Sequence, residues 1–309
     1  MDIFDNVQKK VVTVFPQNTS KQNIVPLSPK KYTKTSRHKK IFKIILITSN
    51  RFHTLQKNLK FIDYAFKDLD TRVTIFVDLP KYGFNTNIRN NVRNISLQNE
   101  NMEVFIFEKH IGTRSLWLSI LSMKQPFLVL EDDVFVSENI YKWYNYCISN
   151  MNLNKKIFGC SFSSQSTVAV LGSKYKLNFR NPYTYPLIGS HGFMISPHHS
   201  SKFVDHLQTR KKSSLYIPNL ITTAWYREFE KRRLTNERMW TQEAVAYTYH
   251  NNLTILYPPT KFPYVVHCST EHASDKIIEK CKNFIKNNYR LSMKKITGVN
   301  WNGKCFSNC

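Results

Sequence analysis

Residues 127–136 read FLVLEDDVFV, which sets Glu131, Asp132 and Asp133 side by side between two apolar blocks. Carboxylates placed against chain that is due to be buried are unfavourable unless a cation or hydrogen-bond donors compensate them. Clustered Asp and Glu oxygens are hard ligands that suit Mg²⁺ or Mn²⁺, above all where a substrate phosphate completes the coordination. An ion held in this way neutralises a diphosphate and stabilises the charge that grows on a leaving phosphate. In an extended strand Glu131 and Asp133 face one side and Asp132 the other, so the alternation predicts one or two metal-directed carboxylates and a third that braces a neighbour. The competing reading, an acidic surface turn, fits poorly with FLVL before the acids and VFV after them.

Other residues carry chemistry of their own. Arg114, in HIGTRSLW, opens a helix just after a strand, where a guanidinium and a helix N-terminus both favour phosphate; an exposed first-turn arginine is the plainer alternative. Glu243, in MWTQEAVAY, begins a helix among aromatics. Such a wall can raise a carboxylate's pKa and suit it to take a proton from a hydroxyl, while a first-turn Glu also simply complements the helix dipole. His267 follows a strand in YVVHCSTEH and is placed to complete a metal shell, touch phosphate, or serve as a structural histidine. His191 lies between glycines in GSHGF, where backbone can approach a ligand closely, and is an acceptor-side candidate. His198 and His199 fall in a first helical turn and are expected to be exposed.

The elements that must position these groups alternate. IFKIILIT reads as a strand buried on both faces. It is followed by a helix with Leu55, Leu59, Ile62 and Phe66 on one face, Asn50 or a neighbour standing at its cap. TRVTIFVD, ending in Asp78, and MEVFIF are further strands; GTRSLWLSILSM is a helix; PFLVL is a fourth strand that runs into the acids. SENIYKWYNYCI returns as a helix, with Ser137 expected as its cap. Beyond it, IFGCSF, HGFMIS and LTILYP read as strands, and PHHSSKFVDHL, WTQEAVAYTYHNN and residues 275–288 as helices. This rhythm implies right-handed crossovers and a mostly parallel sheet, in which ligands sit beyond the carboxyl ends of the strands. Thr48 to Arg51, Asp78 and Glu131 to Asp133 all lie at such ends.

The 309 residues carry 45 Lys and Arg against 21 Asp and Glu, for a net charge of +24. That balance suits polyanions, whether nucleic acid, an anionic membrane surface or phosphorylated ligands; the plainer alternative is a compositional habit rich in Lys and Asn. The basic residues form no stripe with interleaved aromatics, so nucleic acid is not an expected partner. Residues 1–40 contain Pro16, Pro26 and Pro29 and the run KKYTKTSRHKK, and are expected to be a disordered basic tail. The composition is globular, with one main domain over 41–268 and a C-terminal helix and cysteine-bearing tail over 269–309. Cys305 can pair with Cys309, Cys268 or Cys281. No stretch reaches the length of a membrane span and no signal-peptide layout opens the chain. A cytoplasmic protein, or one peripheral at a membrane, is expected, with the secretory pathway left open if an anchor was removed.

Taken in order, the first strand with TSNR, the strand ending in Asp78, IGTRSLW and LVLEDDV resemble nucleotide-sugar glycosyltransferases of the GT-A fold. The LEDDV form looks most like the N-acetylglucosaminyltransferase I family, and GSHGFMIS, WTQEA and LYPPTKFPYVVH follow more loosely. The resemblance covers residues 41–268 and implies a Rossmann-like three-layer α/β/α sandwich. It further implies Asp133 as direct metal ligand, with Glu131 and Asp132 contacting ribose or bracing the loop. Asp78 would meet uracil or ribose, Thr48, Asn50 and Arg51 would line the nucleotide site, and Glu243 would be the general base. The expectation is a Mn²⁺- or Mg²⁺-dependent inverting transfer from a UDP-sugar to a glycan, protein or lipid hydroxyl. Two rival readings remain: a metal-dependent phosphohydrolase or nucleotidyltransferase using the same acids, and a non-enzymatic polyanion-binding protein whose acids are structural.

Overall fold

The computed structural model describes residues 11–13, 41–49, 51–66, 69–78, 90–91, 102–107, 110–123, 125–165, 167–168, 172–209, 240–267 and 296–307. Asn50 and the helix expected over 275–288 lie outside them. The strands are β1 (Val11–Thr13), β2 (Phe42–Thr48), β3 (Thr71–Val77), β4 (Met102–Phe107), β5 (Leu128–Glu131), β6 (Val134–Val136), β7 (Ile157–Ser161), β8 (Thr167–Val168), β9 (Gly172–Lys176), β10 (Tyr183–Tyr185), β11 (Phe193–Ile195), β12 (Thr254–Tyr257), β13 (Val265–His267), β14 (Thr297–Val299) and β15 (Cys305–Ser307). The helices are α1 (Phe52–Phe66), α2 (Gly112–Leu121), α3 (Ile140–Leu153), α4 (Pro197–Thr209) and α5 (Trp240–His250).

Because β2 is apolar at every position from Ile44 to Ile47, both of its faces need cover, and both are covered. Ile44 and Leu46 pack with Leu55 and Ile62 of α1 and Trp143 of α3. Ile45 and Ile47 pack on the opposite face with Leu116 and Trp117 of α2, Phe203 of α4 and Trp240 of α5. The result is the expected three-layer α/β/α sandwich. The central sheet has eleven strands in the order β1-β4-β3-β2-β5-β11-β7-β12-β10-β14-β15. Strands β4, β3, β2 and β5 are mutually parallel, and β11 enters antiparallel between β5 and β7. The chain moves from β2 outward through β3 and β4, then returns to place β5 on the other flank of β2. Strand order therefore reverses between β2 and β5, the switch point at which open α/β sheets form a crevice.

Several local expectations change. Within 1–40, residues Val11–Thr13 form an edge strand on β4; the rest of that stretch lies outside the described residues. Helix α3 begins at Ile140 after Asn139, and no side chain caps it. Ser137 instead gives its backbone N–H to Tyr264 and its carbonyl to Ile140. Cys305 is disulfide-bonded to a cysteine outside the described residues. Among the described residues no helix is long and apolar enough to cross a membrane.

His199 is not exposed: one step round α4 from solvent-facing His198, it is 5% exposed. Its Nε2 lies 2.7 Å from the Lys155 carbonyl, and its Nδ1 is buried without a partner. Burial pushes the imidazole pKa below its ordinary 6.5, and the nearby charges of His198, Lys202 and Lys155 push the same way. A lowered folded pKa means that the unfolded chain takes up the proton first, so this stabilisation is present above about 6.5 and is lost as pH falls below it. Thermal unfolding followed from about pH 8 to about pH 5 should show stability dropping on the acid side. His199→Gln should flatten that acid limb; an unchanged slope in the variant would rule His199 out as a contributor.

Candidate functional site

The acid turn is fixed from three directions. Parallel pairing of β2 and β5 sets Ile47 opposite Glu131, and the Asp132 N–H continues the ladder by donating to the Ile47 carbonyl at 3.0 Å. Strand β5 then stops: residues 132–133 form a turn, and β6 leaves the main sheet to pair antiparallel with β13. From α1, the fully buried Asn58 turns its Nδ2 into this bend and donates to the carbonyls of Val134 at 2.9 Å and Glu131 at 3.2 Å.

The turn corrects the expected alternation. Asp132 and Asp133 do not face opposite ways, because the chain is no longer extended there; both reach Arg51. Arg51 Nη1 donates to Asp133 Oδ2, and Nη2 lies 2.5 Å from Asp132 Oδ1 as an ion pair without the alignment of a hydrogen bond. Thr48 Oγ1 donates to Asp132 Oδ2 at 2.6 Å. His267 Nε2 lies 3.1 Å from Asp133 Oδ2 and is 41% exposed. The second oxygen, Asp133 Oδ1, is buried without a partner.

Three carboxylates thus face one guanidinium and one imidazole, and the pocket is short of positive charge. The protonation behaviour follows. Burial raises the Glu131 pKa, and the neighbouring Asp133 and Asp132 add to the rise. Burial also raises Asp132, against the pull of Thr48 and Arg51. At Asp133 burial acts upward too, but the His267 hydrogen bond and the charges of His267 and Arg51 outweigh it and leave the carboxyl low. His267 is correspondingly raised by its hydrogen bond to Asp133. At Arg51 the lowering by burial is overcome by Asp132 and Asp133, and its pKa rises.

Asp133 and His267 carry ligand atoms suited to a divalent ion, and Asp133 Oδ1 is a buried acceptor without a partner. Among the described residues no group of three or more His, Cys, Asp or Glu side chains is arranged to hold an ion by itself. Asp133 and His267 would supply two ligands to such an ion and leave the rest of its coordination to groups from outside the fold.

Beside the turn, at the carboxyl ends of β2, β3 and β5, a cleft of about 110 Å³ is lined by Thr48, Arg51, Asp78, Thr113, Leu116 and Glu131, among others. Here Asp78 has a structural task. Its carboxylate accepts the N–H groups of Ile111 at 2.9 Å and Gly112 at 3.0 Å, and His110 Nδ1 lies 3.1 Å away. The anion that meets the N-terminus of α2 is thus a residue of the chain itself, where the sequence suggested phosphate. Arg114 lies in the first turn of that helix.

Glu243 stands on a different element, in the first turn of α5, and is 5% exposed. The preceding Trp240 stacks on Trp117 of α2 with ring centroids 4.2 Å apart, which fixes the start of α5 against α2. His191 stacks on His267, centroids 4.9 Å apart, and so sits at the lip of the acid turn. Gly192 makes this approach feasible. Its φ is +67°, and a Cβ there would come within 3.0 Å of Val265.

No family model matches the sequence, and no curated protein does. Among solved structures, GalNAc-T7 with UDP, GalNAc and Mn²⁺ aligns at a TM-score of 0.45 and 12% identity, over 73% of this chain and 43% of its own. This chain thus spans less than half of that protein's length. The galactosyltransferase LgtC, in complex with donor and acceptor sugar analogues, aligns at 0.41 and 9% identity, over 80% of this chain and 98% of its own. Residues 1–349 of TarS from S. aureus align at 0.37 and 11% identity, over 71% of this chain and 60% of their own. At these distances the likenesses do not assign an activity.

Asn58 escaped the sequence reading. Its signal was there: it falls three residues after Leu55 and four before Ile62, on the apolar stripe of α1, where an amide needs a partner. Asn58→Ala should lower stability by about 1–3 kcal/mol, since it strands buried carbonyls of the acid turn. Asn58→Asp should cost more, because it points a carboxylate at those same oxygens. Urea unfolding measures both, and a near-neutral Asn58→Asp would remove the clamp from the account.

Proposed function

We propose that this chain is a metal-dependent inverting glycosyltransferase of the GT-A arrangement, moving a hexosyl or N-acetylhexosaminyl group from a UDP-sugar to an acceptor hydroxyl on a glycan, protein or lipid. The observation that carries the reading is the position of the acid turn. A cluster short of positive charge, with an orphaned carboxylate oxygen, stands at the switch point of a largely parallel sheet beside a cleft at the strand ends. The resemblance of LEDDV to the N-acetylglucosaminyltransferase I family points the same way.

In this reading Asp133 and His267 would hold Mn²⁺ or Mg²⁺. The bound ion supplies neutralisation of the diphosphate and of the charge that develops as it departs. Thr48, Arg51 and Glu131 line the nucleotide's place along the strand ends, and Asp132, fully buried, braces the turn behind them; Asn50, outside the described residues, is kept as a proposed nucleotide contact. Asp78 lines the cleft at the start of α2 and keeps carboxylate lone pairs for uracil or ribose beyond those taken by the α2 backbone and His110; Arg114, in the first turn of α2, is the proposed phosphate contact. Glu243 accepts the proton of the acceptor hydroxyl on its carboxylate. The hydroxyl oxygen then bonds to the anomeric carbon from the face opposite the diphosphate. The bond from that carbon to the phosphate oxygen breaks, and the configuration inverts.

The test is a donor screen by UDP release in the presence of Mn²⁺, run on the full chain beside Asp133→Ala and Glu243→Gln. At least one UDP-sugar should turn over. Asp133→Ala should lower the rate by about 10²-fold or more, as loss of a charge-stabilising group does. Glu243→Gln should lower transfer by about 10²- to 10⁴-fold, the range of a lost general base. Full transfer by Glu243→Gln would show that the base is another residue, and a silent screen across all UDP-sugars would end the glycosyltransferase reading.

A further inference from the structure

We infer that Arg51 is an internal counter-cation that competes with the divalent ion for Asp133 and yields it only to a diphosphate, so that metal and nucleotide bind together. The inference rests on the glycosyltransferase reading and adds a regulatory element to that site.

One guanidinium spans two carboxylates. Nη1 donates to Asp133 Oδ2 and Nη2 lies against Asp132 Oδ1 at 2.5 Å. Asp133 Oδ2 also receives His267 at 3.1 Å, which leaves Oδ1 as the oxygen without a partner. A dication arriving alone at Asp133 would meet a guanidinium already bonded to the same carboxylate, and like charges at such separations in a partly buried site repel strongly. Nor can Arg51 simply withdraw, since Asp132 and Asp133, both nearly fully buried, would lose their main compensation.

A diphosphate removes the conflict. The Arg51 side chain is 30% exposed and lines the cleft along with Thr48, Ser49 and Asp78. Its planar fork fits phosphate oxygens as well as it fits carboxylates. Its backbone is held, because the Arg51 carbonyl accepts the Leu55 N–H at 3.0 Å and opens α1; the exchange needs side-chain rotation only. When the nucleotide arrives, the guanidinium moves its hydrogen bonds from Asp133 to phosphate, and the ion takes the vacated carboxylate. Each ligand then creates the partner that the other needs, which is positive coupling between two sites.

The experiment measures free Mn²⁺ by electron paramagnetic resonance during titration of the full-length protein, with and without UDP. Three proteins are compared: wild type, Arg51→Gln and Arg51→Lys. Wild type should bind Mn²⁺ weakly alone and much more tightly with UDP. Arg51→Gln should bind Mn²⁺ alone about tenfold more tightly than wild type, the scale of one lost charge-assisted contact, and should gain little from UDP. Arg51→Lys offers a point charge that cannot span both carboxylates, so it should fall between the two; it carries the test if Arg51→Gln does not fold. If neither variant binds Mn²⁺ alone more tightly, while wild type still binds Mn²⁺ with UDP, Arg51 is not a competitor and the inference fails by itself. If wild type binds no Mn²⁺ even with UDP, the glycosyltransferase reading falls and takes this inference with it.

Discussion

Negative charge buried at the carboxyl end of β5 is the constraint to which the neighbouring elements answer. Asp132 and Asp133 are 0% and 3% exposed, which is tolerable only with charged or hydrogen-bonding partners. Those partners come from three separate elements: Thr48 ends β2, Arg51 opens α1, and His267 ends β13. The last of these explains why the chain leaves the main sheet after the turn. Pairing of β6 with β13 places His267 opposite Val134, one residue from Asp133. A continued β5 would have carried VFV on along the sheet and would have had no such strand to bring the imidazole in.

Two anions at the same sheet edge have been given opposite tasks. Asp78 lies between the backbone N–H groups at the start of α2 and the His110 ring, so its charge is largely answered by the fold. The acid turn has Arg51 and His267 for three carboxylates; burial raises the pKa values of Glu131 and Asp132, and the neighbouring like charge adds to the rise. Helix N-termini are common phosphate sites, but here Asp78 fills that role. The burden of recognising an anionic ligand shifts to cations next to the acid turn, a bound metal ion and Arg51.

Much of this was legible in the residues, for reasons that can be named. The uninterrupted apolar run of β2 announced a strand covered on both faces, and the spacing of Leu55, Leu59 and Ile62 announced α1. The coincidence of Thr48, Arg51, Asp78 and the acids at strand ends followed from alternation alone, and Thr48, Arg51, Asp78 and Glu131 do line one cleft, while Asp132 and Asp133 are buried behind it. What stayed hidden depends on the path of the chain after each element. Nothing local says that Asp132–Asp133 is a turn, so the alternation argument misplaced Asp132. Burial of His199 depends on Lys155 arriving from the loop before β7, and the short β10 and β14 are strands because they pair with each other and β10 with β12. Ser137 looked like a cap by type, yet its hydroxyl is unused and its backbone does the joining. Glu243 was singled out by aromatic neighbours in the sequence, and one of them, Trp240, stacks on Trp117 and anchors the helix that carries it.

The overall charge and the local charge then make one argument. A chain of +24 attracts anions from a distance, although salt screens that attraction within about 10 Å. At contact range the acid turn would repel a diphosphate, so long-range attraction and short-range chemistry conflict unless a cation stands between them. Arg51 supplies part of that cation from within the fold, bridging the very carboxylates whose charge would otherwise face the ligand. The remainder must come from outside, and the buried oxygen of Asp133 beside the half-exposed ring of His267 is an acceptor that the fold leaves unanswered. The acids are thus best understood as the inner half of a charge-alternating stack, carboxylate then cation then phosphate, whose outer layers arrive with the substrate.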